Sequence, residues 1–252
     1  MTTDPSLSLA AMQAAWDDTP AGHQRVFDAF DARFRADPFL VAHREHVERH
    51  QLGFGYPCFH QFWQLVAQDM PDNGRFLEVG VWKGQSCAAV GRCLARLGKS
   101  AAVIGLSTYD GKGILGTPEE LFSVVVEHWN RWLLEATGVE FTPIFGDSQS
   151  QTAADEAAHL GPYDVVYVDA DHGYAAAKHD LLTYAPMVKP GGLLIADDAA
   201  SFMNVPHDCF WYRGEEGCSR AVDEMLPPKT PNPGWVNVGL LGHLRVWRRA
   251  GG

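Results

Sequence analysis

Two short, mostly apolar runs that end in carboxylates constrain the fold of this chain most. The runs span 163–168 and 193–196. Such runs are typical of strands buried on both faces of a parallel sheet, and ligands bind beyond the carboxyl ends of those strands. We therefore expect the aspartates that follow them to converge at one edge of the sheet. These are Asp169, Asp171, Asp197 and Asp198.

Converging carboxylates repel one another, so they stay ionised together only when a cation neutralises them. Hard oxygen ligands without a neighbouring Cys or His cluster favour Mg²⁺ or another hard dication. The four aspartates therefore indicate a metal site. The alternative is that they only end strands and begin the next helix, with Asp171 or His172 as the N-cap.

Length and charge restrict the class of protein. The 252 residues suit one large α/β domain, or a domain with a helical extension. Lys and Arg number 20 against 31 Asp and Glu, for a formal charge of −11, and no basic run occurs. Nucleic acid and anionic membrane surfaces are therefore poor partners. We find neither a signal-peptide pattern nor an apolar run of about 18 residues, so a cytoplasmic protein is expected.

Cysteines and histidines give no strong metal motif. His46 and His50 have zinc-binding i, i+4 spacing, but an exposed helix face explains them better. The cysteines form no CxxC pair and indicate buried or idle thiols in a reducing compartment. They are Cys58, Cys87, Cys93, Cys209 and Cys218.

The rhythm of the chain changes near residue 71. Residues 1–70 carry apolar side chains at helical spacing, broken by Pro and Gly, which predicts several short helices forming a lid or a dimer surface. Residues 71–252 alternate strand and helix patterns, which predicts a Rossmann-like, doubly wound, mostly parallel sheet of seven strands. The predicted strands are 76–79, 102–106, 139–145, 163–168 and 193–196, followed by an antiparallel hairpin of 235–240 and 243–248. The predicted helices are 85–97, 118–137, 150–159 and 174–187.

A long insert, 201–233, separates the last parallel strand from the hairpin. It is aromatic, rich in proline towards its end, and predicted to be irregular. A loop of this length inside a compact domain is usually functional, so we expect it to form a lid or a binding wall.

A glycine turn follows the first predicted strand, in the run Glu78-Val79-Gly80-Val81-Trp82-Lys83-Gly84. Gly80 would let a ligand approach the backbone, and the helix after Gly84 offers free N–H groups. The spacing matches neither a dinucleotide fingerprint nor a P-loop. Because the Glu78 carboxylate would repel phosphates, a zwitterionic or cationic ligand fits better.

The next two strand ends offer groups for the rest of a nucleoside. Ser107 stands where an acidic residue would hold ribose hydroxyls, and Asp110 follows three places later. Asp147 could accept a hydrogen bond from the amino group of a purine. Successive strand ends thus favour a ligand made of an amino acid, a ribose and a base.

Taken together, these motifs resemble class I S-adenosylmethionine-dependent methyltransferases. The run Glu78 to Gly84, Gly146-Asp147-Ser148, Val168-Asp169-x-Asp171-His172-x-Tyr174 and Lys189-Pro190-Gly191-Gly192 with Asp197-Asp198 carry the resemblance. More specifically, the motifs resemble the metal-dependent branch that includes macrocin O-methyltransferase and the cephalosporin-hydroxylase-like proteins of antibiotic biosynthesis. It covers roughly residues 74 to 200.

The resemblance implies roles for individual residues. The methionine end of the cofactor would lie against Glu78, Gly80 and Gly84. Adenine would be bound by Asp147 and Ser148, and ribose by Ser107 or Asp110. Asp169, Asp197 and Asp198 would hold Mg²⁺, Asp169 also bordering the cofactor, and Asp171 or His172 would be the base, with Asp171 slightly preferred.

The expected function is Mg²⁺-dependent methyl transfer to a hydroxyl of a small molecule, such as a sugar or another secondary metabolite. Alternatives are a hydroxylase-like relative without methyl transfer, an NAD-dependent oxidoreductase, or a receiver-like signalling module. An NAD-dependent oxidoreductase would need a GxGxxG turn, which this sequence lacks. The aromatic N-terminal helices offer a surface for a homo-oligomer, and the sequence does not decide between a monomer and an oligomer.

Overall fold

A seven-stranded mixed sheet lies at the centre of the molecule. The computed structural model describes residues 7–110, 117–133, 135, 138–208, 210–227, 232 and 234–251. The strands are β1 (Gly74–Val79), β2 (Ala101–Ser107), β3 (Val139–Phe145), β4 (Tyr163–Val168), β5 (Val188–Ala196), β6 (Trp235–Leu241) and β7 (Leu244–Arg249). Their order is β3-β2-β1-β4-β5-β7-β6. The first five are parallel, and β7 is antiparallel to both β5 and β6. The predicted fold class is confirmed.

Helices cover both faces of the sheet. They are α1 (Leu9–Ala14), α2 (Pro20–Arg35), α3 (Pro38–His50), α4 (Phe59–Asp69), α5 (Gln85–Arg96), α6 (Pro118–Leu133), α7 (Gln151–Leu160), α8 (Tyr174–Tyr184) and α9 (Glu216–Met225). Side-chain caps fix several starts, since Thr19, Asp37 and Ser150 accept backbone N–H groups at the beginnings of α2, α3 and α7. No helix in the described residues is long and apolar enough to cross a bilayer.

Alternating side chains of the strands feed two apolar cores. In β1, Phe76 packs into one core with helices such as α2, α4 and α5, whereas Leu77 packs into the other with α7, α8 and α9. Val165 and Val166 divide in the same way in β4. Both faces are therefore covered, which explains why the strand sequences are nearly continuous apolar runs.

The insert differs from the prediction of an irregular segment, because it contains α9. This helix packs against α8 and buries Cys218, Ser219, Ala221 and Val222. Cys218, Ala221 and Val222 form a stripe of small side chains at i, i+3 and i+4 that packs into the second core. Residues 134, 136 and 137 of the predicted helix 118–137, and Cys209, lie outside the described residues.

Candidate functional site

A cavity of about 540 Å³ opens at the carboxyl ends of β1, β4 and β5. Its walls come from the segment after α3, the glycine turn, the two strand-end acidic groups, the insert and the β6–β7 turn. The lining residues are Leu52, Gly53, Phe54, Gly55, Tyr56, Phe59, Trp63, Glu78, Trp82, Lys83, Gly84, Gln85, Ser86, Tyr167, Asp169, His172, Asp197, Asp198, Phe210, Tyr212 and His243. The lining combines aromatic rings with titratable groups.

Direct hydrogen bonds tie the N-terminal segment to the rest of the cavity wall. Tyr56 donates to the carbonyl of Phe210 (3.1 Å), and the N–H of Tyr212 donates to the Tyr56 hydroxyl (2.6 Å). Lys83 Nζ donates to the carbonyl of Gln51 (2.7 Å), and Gln85 donates to Phe54 (3.1 Å). Residues 51–56 therefore join the insert to the glycine turn.

Gly80 lies just after β1, packed against the backbone of Asp169 just after β4. Its N–H donates to Leu106 (2.8 Å), and Asp169 N donates to Val79 (2.8 Å). Gly80 has φ +106°, and a Cβ there would lie 1.9 Å from the carbonyl oxygen of Asp169. Only glycine fits this backbone, because the missing side chain lets the segment after β4 approach the turn; Gly80 itself is not among the lining residues of the cavity.

Glu78 points from the end of β1 into the cavity wall and is 2% exposed. Ser86 Oγ donates to one of its carboxyl oxygens (2.5 Å), and Cys87 Sγ donates to the other (2.9 Å). Burial raises the pKa of Glu78 to about 7, against which these two hydrogen bonds act. The side chain is therefore poised between its neutral and charged forms near neutral pH.

Replacement of Glu78 by glutamine is expected to stabilise the ligand-free protein at alkaline pH. Because the folded pKa of about 7 exceeds the ordinary 4.5, wild-type stability falls as pH rises through this interval. The gap in unfolding free energy should grow between pH 4.5 and 7 and level off at about 3 kcal/mol. Urea unfolding of both proteins across this range measures it.

The exposed Glu140 on β3 provides the matched control. Glu140→Gln should leave the pH dependence of the unfolding free energy unchanged. A Glu78→Gln gap that is the same at every pH would contradict the raised pKa.

Three of the four predicted aspartates meet in the cavity. The Tyr167 hydroxyl lies 2.9 Å from Asp169 Oδ2 and 2.7 Å from Asp197 Oδ2. One hydroxyl proton serves only one carboxylate at a time, so these two compete for it. His172 Nδ1 lies 3.0 Å from Asp198 Oδ2, and its Nε2 lies 3.6 Å from Asp169 Oδ1.

The acidic group is under electrostatic strain without a cation. Burial, then the charge of Asp197, raises the pKa of Asp169 well above its ordinary value, and the same causes raise the pKa of Asp198 to about 6. The hydrogen bond to Asp169 raises the pKa of His172 to about 9. The carboxylates therefore do not ionise freely together, which is the condition that a bound cation relieves.

His243 completes this group, and the sequence-based analysis missed it. Its Nε2 lies 3.2 Å from Asp197 Oδ1 and 3.9 Å from Asp198 Oδ1. The backbone N–H of Ala199 donates to the His243 carbonyl (3.0 Å), which ties the β6–β7 turn to the end of β5. Ligand atoms of Asp197, Asp198 and His243 all lie within 4.8 Å of one another. This donor set suits a divalent cation.

Asp171 is not brought into the cavity lining. Its Oδ1 accepts the N–H of Gly173 (2.7 Å), so the carboxylate serves the turn that precedes α8. His172, the alternative base, does line the cavity. His172 is therefore the better placed of the two candidate bases.

The predicted ribose and adenine residues lie outside the cavity lining. Ser107 Oγ accepts from Tyr109 N (3.1 Å), and Asp110 accepts from Thr108 (2.8 Å). Asp147 is exposed beyond β3 and accepts from Gln149 N (2.9 Å). The Ser148 hydroxyl is buried and donates to Asp180 (3.0 Å). A contact of that hydroxyl with adenine would break this buried hydrogen bond, whereas the Asp147 carboxylate is accessible.

Three buried histidines form a row of hydrogen bonds that ends at the glycine turn. His128 Nδ1 lies 3.1 Å from the carbonyl of Lys83, His43 Nε2 lies 2.9 Å from His128 Nε2, and His60 Nε2 lies 3.0 Å from His43 Nδ1. Because a carbonyl only accepts, His128 donates through Nδ1, and each earlier histidine donates through Nε2. Burial lowers the pKa of all three histidines, so these three side chains are uncharged.

His46 and His50, for which the sequence favours an exposed helix face over a zinc site, lie on α3. Their rings pack 4.5 Å apart, centroid to centroid. Among the described residues, the single group of three converging metal-ligating side chains is that of Asp197, Asp198 and His243.

Comparison with known proteins agrees with this architecture. Residues 77–199 match the family model described as a methyltransferase domain, Methyltransf_24. No curated protein matches the chain significantly. Among solved structures, the S-adenosylhomocysteine-bound methyltransferase PaMTH1 from Podospora anserina has a TM-score of 0.57 at 16% identity, over 88% of this chain and 94% of that one. An O-methyltransferase from Bacillus cereus, also bound to S-adenosylhomocysteine, has a TM-score of 0.50 at 15% identity, over 84% and 91%.

A third solved structure is larger than this chain. It is MycE, a methyltransferase of the mycinamycin biosynthetic pathway, in complex with Mg and S-adenosylhomocysteine. Its TM-score is 0.50 at 18% identity, over 85% of this chain but about half (54%) of MycE. These likenesses establish a shared fold. Residues 77–199 thus match a methyltransferase domain model, within a chain that shares the fold of these methyltransferases.

Proposed function

We propose that this enzyme transfers the methyl group of S-adenosylmethionine to a hydroxyl group of a small molecule, with a divalent cation at Asp169, Asp197 and Asp198. One observation carries the proposal: the glycine turn and the strand-end carboxylates border the same cavity of about 540 Å³. A sulfonium donor and a cation-bound acceptor would therefore lie side by side. Mg²⁺ is the cation expected from the sequence.

The solved relatives support the cofactor and the acceptor class. PaMTH1 and the Bacillus cereus enzyme bind S-adenosylhomocysteine, and MycE binds it together with Mg and mycinamycin VI. A sugar or another secondary-metabolite intermediate is accordingly the acceptor class that we propose here.

Methyl transfer from a sulfonium is an in-line displacement that needs an oxygen nucleophile held close to the methyl carbon. A bound dication would lower the pKa of the acceptor hydroxyl and orient it. Phe54, Tyr56 and Tyr212 would hold the apolar part of the acceptor and exclude water. Asp169 and Asp197 are oriented by the shared Tyr167 hydroxyl.

We assign the proton acceptor to His172 rather than to Asp171. The His172 imidazole lines the cavity beside Asp169 and Asp198, whose negative charges raise its pKa. Neutralisation of those carboxylates by a cation removes this cause, and the imidazole is then able to accept a proton near neutral pH.

A paired substitution tests this assignment. His172→Gln should lower kcat by about 10²- to 10³-fold and remove the acidic limb of the pH–rate profile, since the group that titrates is gone. Asp171→Asn should change kcat by less than about threefold, because Asn still accepts the Gly173 N–H. Steady-state kinetics from pH 6 to 10 give both values. The reverse pattern would return the role to Asp171.

The proposed activity is tested with S-adenosylmethionine labelled in its methyl group. We expect transfer of label to an acceptor with vicinal hydroxyls, drawn from a panel of sugars and catechols, when a dication is present. Dialysis against EDTA should abolish transfer, and restored dication should return it. Full activity after EDTA treatment would remove the metal from the proposal, and binding of NAD in place of S-adenosylmethionine would favour the oxidoreductase.

Four wider assignments are also proposals. We place the enzyme in the macrocin O-methyltransferase and cephalosporin-hydroxylase-like branch and in secondary metabolism, including antibiotic biosynthesis. The MycE likeness supports both assignments. We propose a cytoplasmic location, because Cys58, Cys87, Cys93 and Cys218 are free and buried. Residues 1–70 are proposed to enclose the acceptor, since residues 52–56 and Phe59 line the cavity.

A further inference from the structure

The side chain of His243 is the least expected member of the acidic group. A Mg²⁺ site is built from oxygen ligands, and the sequence pattern of strand-end aspartates predicts only oxygen. The structure adds an imidazole from another part of the chain, 5% exposed and aimed at Asp197 and Asp198. Its nitrogen changes the chemistry of the donor set.

Distances in the group suit a shared cation. Bonds of about 2.1 Å at right angles place neighbouring ligand atoms about 3.0 Å apart, and opposite ones about 4.2 Å apart. The separations from His243 Nε2 to Asp197 Oδ1 and Asp198 Oδ1 are 3.2 Å and 3.9 Å, between these limits. His243 therefore needs no large movement to share an ion with both carboxylates.

The surroundings hold His243 in this orientation. Its ring lies 5.7 Å from Tyr56, 5.1 Å from Phe59 and 5.1 Å from Tyr212, centroid to centroid. Its Nδ1 is buried without a hydrogen-bond partner among the described residues. Among the described residues, the polar contacts of this ring are therefore those of Nε2 with the two carboxylates.

His172 provides an internal contrast. Its Nδ1 lies 3.0 Å from Asp198 Oδ2 and its Nε2 lies 3.6 Å from Asp169 Oδ1, but its side chain is 43% exposed. It is absent from the group of converging ligand atoms found in the described residues. Of the two imidazoles, only His243 meets the geometric condition for a metal ligand.

Resting on the function proposed above, we propose that His243 Nε2 is a metal ligand and that the site prefers a first-row transition-metal dication, of the Fe²⁺ or Co²⁺ class, over Mg²⁺. Imidazole nitrogen binds such ions much better than it binds Mg²⁺, which favours oxygen. The neutral nitrogen adds a ligand without adding to the repulsion among the carboxylates. Selectivity for the ion would therefore depend on one residue in the β6–β7 turn.

Co²⁺ and Mg²⁺ affinities, measured by calorimetry on the full chain with S-adenosylhomocysteine present, test this proposal. Wild-type protein should bind Co²⁺ at least about 100-fold more tightly than Mg²⁺. His243→Gln should reduce that ratio tenfold or more, chiefly by weakening Co²⁺, and should shift the visible absorption bands of the bound Co²⁺. His172→Gln, the matched control, should keep both the ratio and the bands.

His243→Asn is the second variant in case glutamine disturbs the aromatic packing, and retained Mg²⁺ affinity shows that the carboxylates are still assembled. An unchanged Co²⁺/Mg²⁺ ratio in both variants would overturn the role of His243. Binding of neither ion by wild-type protein would overturn the metal-dependent function as well. Selective Co²⁺ binding without methyl transfer would leave the ligand assignment standing and refute the proposed activity.

Discussion

Asp198→Asn is expected to abolish metal-dependent methyl transfer while making the metal-free protein more stable. Activity should fall by about 10³-fold or more, because the substitution removes an anionic ligand of the proposed cation. Stability should rise by about 3 kcal/mol above pH 7, because the buried Asp198 carboxylate, whose pKa is raised to about 6, is charged there against Asp197. Asparagine also tolerates the φ of +50° at this position.

These opposite effects separate loss of function from loss of fold. Dication affinity by calorimetry and unfolding free energy by urea denaturation are measured on the same preparation. Asp155→Asn, at an exposed position on α7, is the control and should change neither quantity. A variant that is both inactive and less stable would mean that Asp198 supports the fold rather than a cation.

Gly80→Ala is expected to cost about 4 kcal/mol of unfolding free energy or more. A Cβ there would lie 1.9 Å from the carbonyl oxygen of Asp169 and would force apart β1 and the segment after β4. The φ of +106° adds backbone strain for any side chain. Urea denaturation and S-adenosylhomocysteine affinity should both show the loss.

Gly98→Ala isolates the backbone contribution. Gly98 also has a positive φ, +68°, but a Cβ there meets nothing within 4 Å. Its substitution should cost only about 1–2 kcal/mol and leave cofactor affinity unchanged. Equal losses at the two glycines would refute the close approach as the reason for Gly80.

Much of the fold could be predicted because each central strand has apolar side chains on both of its faces. Neighbours such as Phe76 and Leu77 enter opposite cores, so the strands appear as unbroken apolar runs. Helix α9 was missed because its buried stripe consists of small residues, Cys218, Ala221 and Val222, within an insert dominated by aromatics and prolines. Burial of a small-residue stripe depends on the helix that it packs against, which local sequence does not identify.

The site was predictable where it depends on strand ends alone. Asp169, Asp197 and Asp198 follow directly from the parallel alternation. His243 does not, because its place depends on β7 pairing beside β5 and on the turn contact with Ala199. The sequence predicts Asp171 as the base and Ser148 as an adenine contact, yet Gly173 N and Asp180 engage their side chains. Short-range hydrogen bonds of this kind compete with ligand binding and leave no periodic signal.

A crystal structure with Co²⁺ and S-adenosylhomocysteine, with anomalous scattering recorded at the cobalt edge, tests the central claim most directly. We expect one anomalous peak bonded to Asp197 and Asp198, with the sulfur of the cofactor product in the same cavity near Gly80. Cofactor bound without such a peak, and with Asp169 and Asp197 still sharing the Tyr167 hydroxyl, would contradict the account.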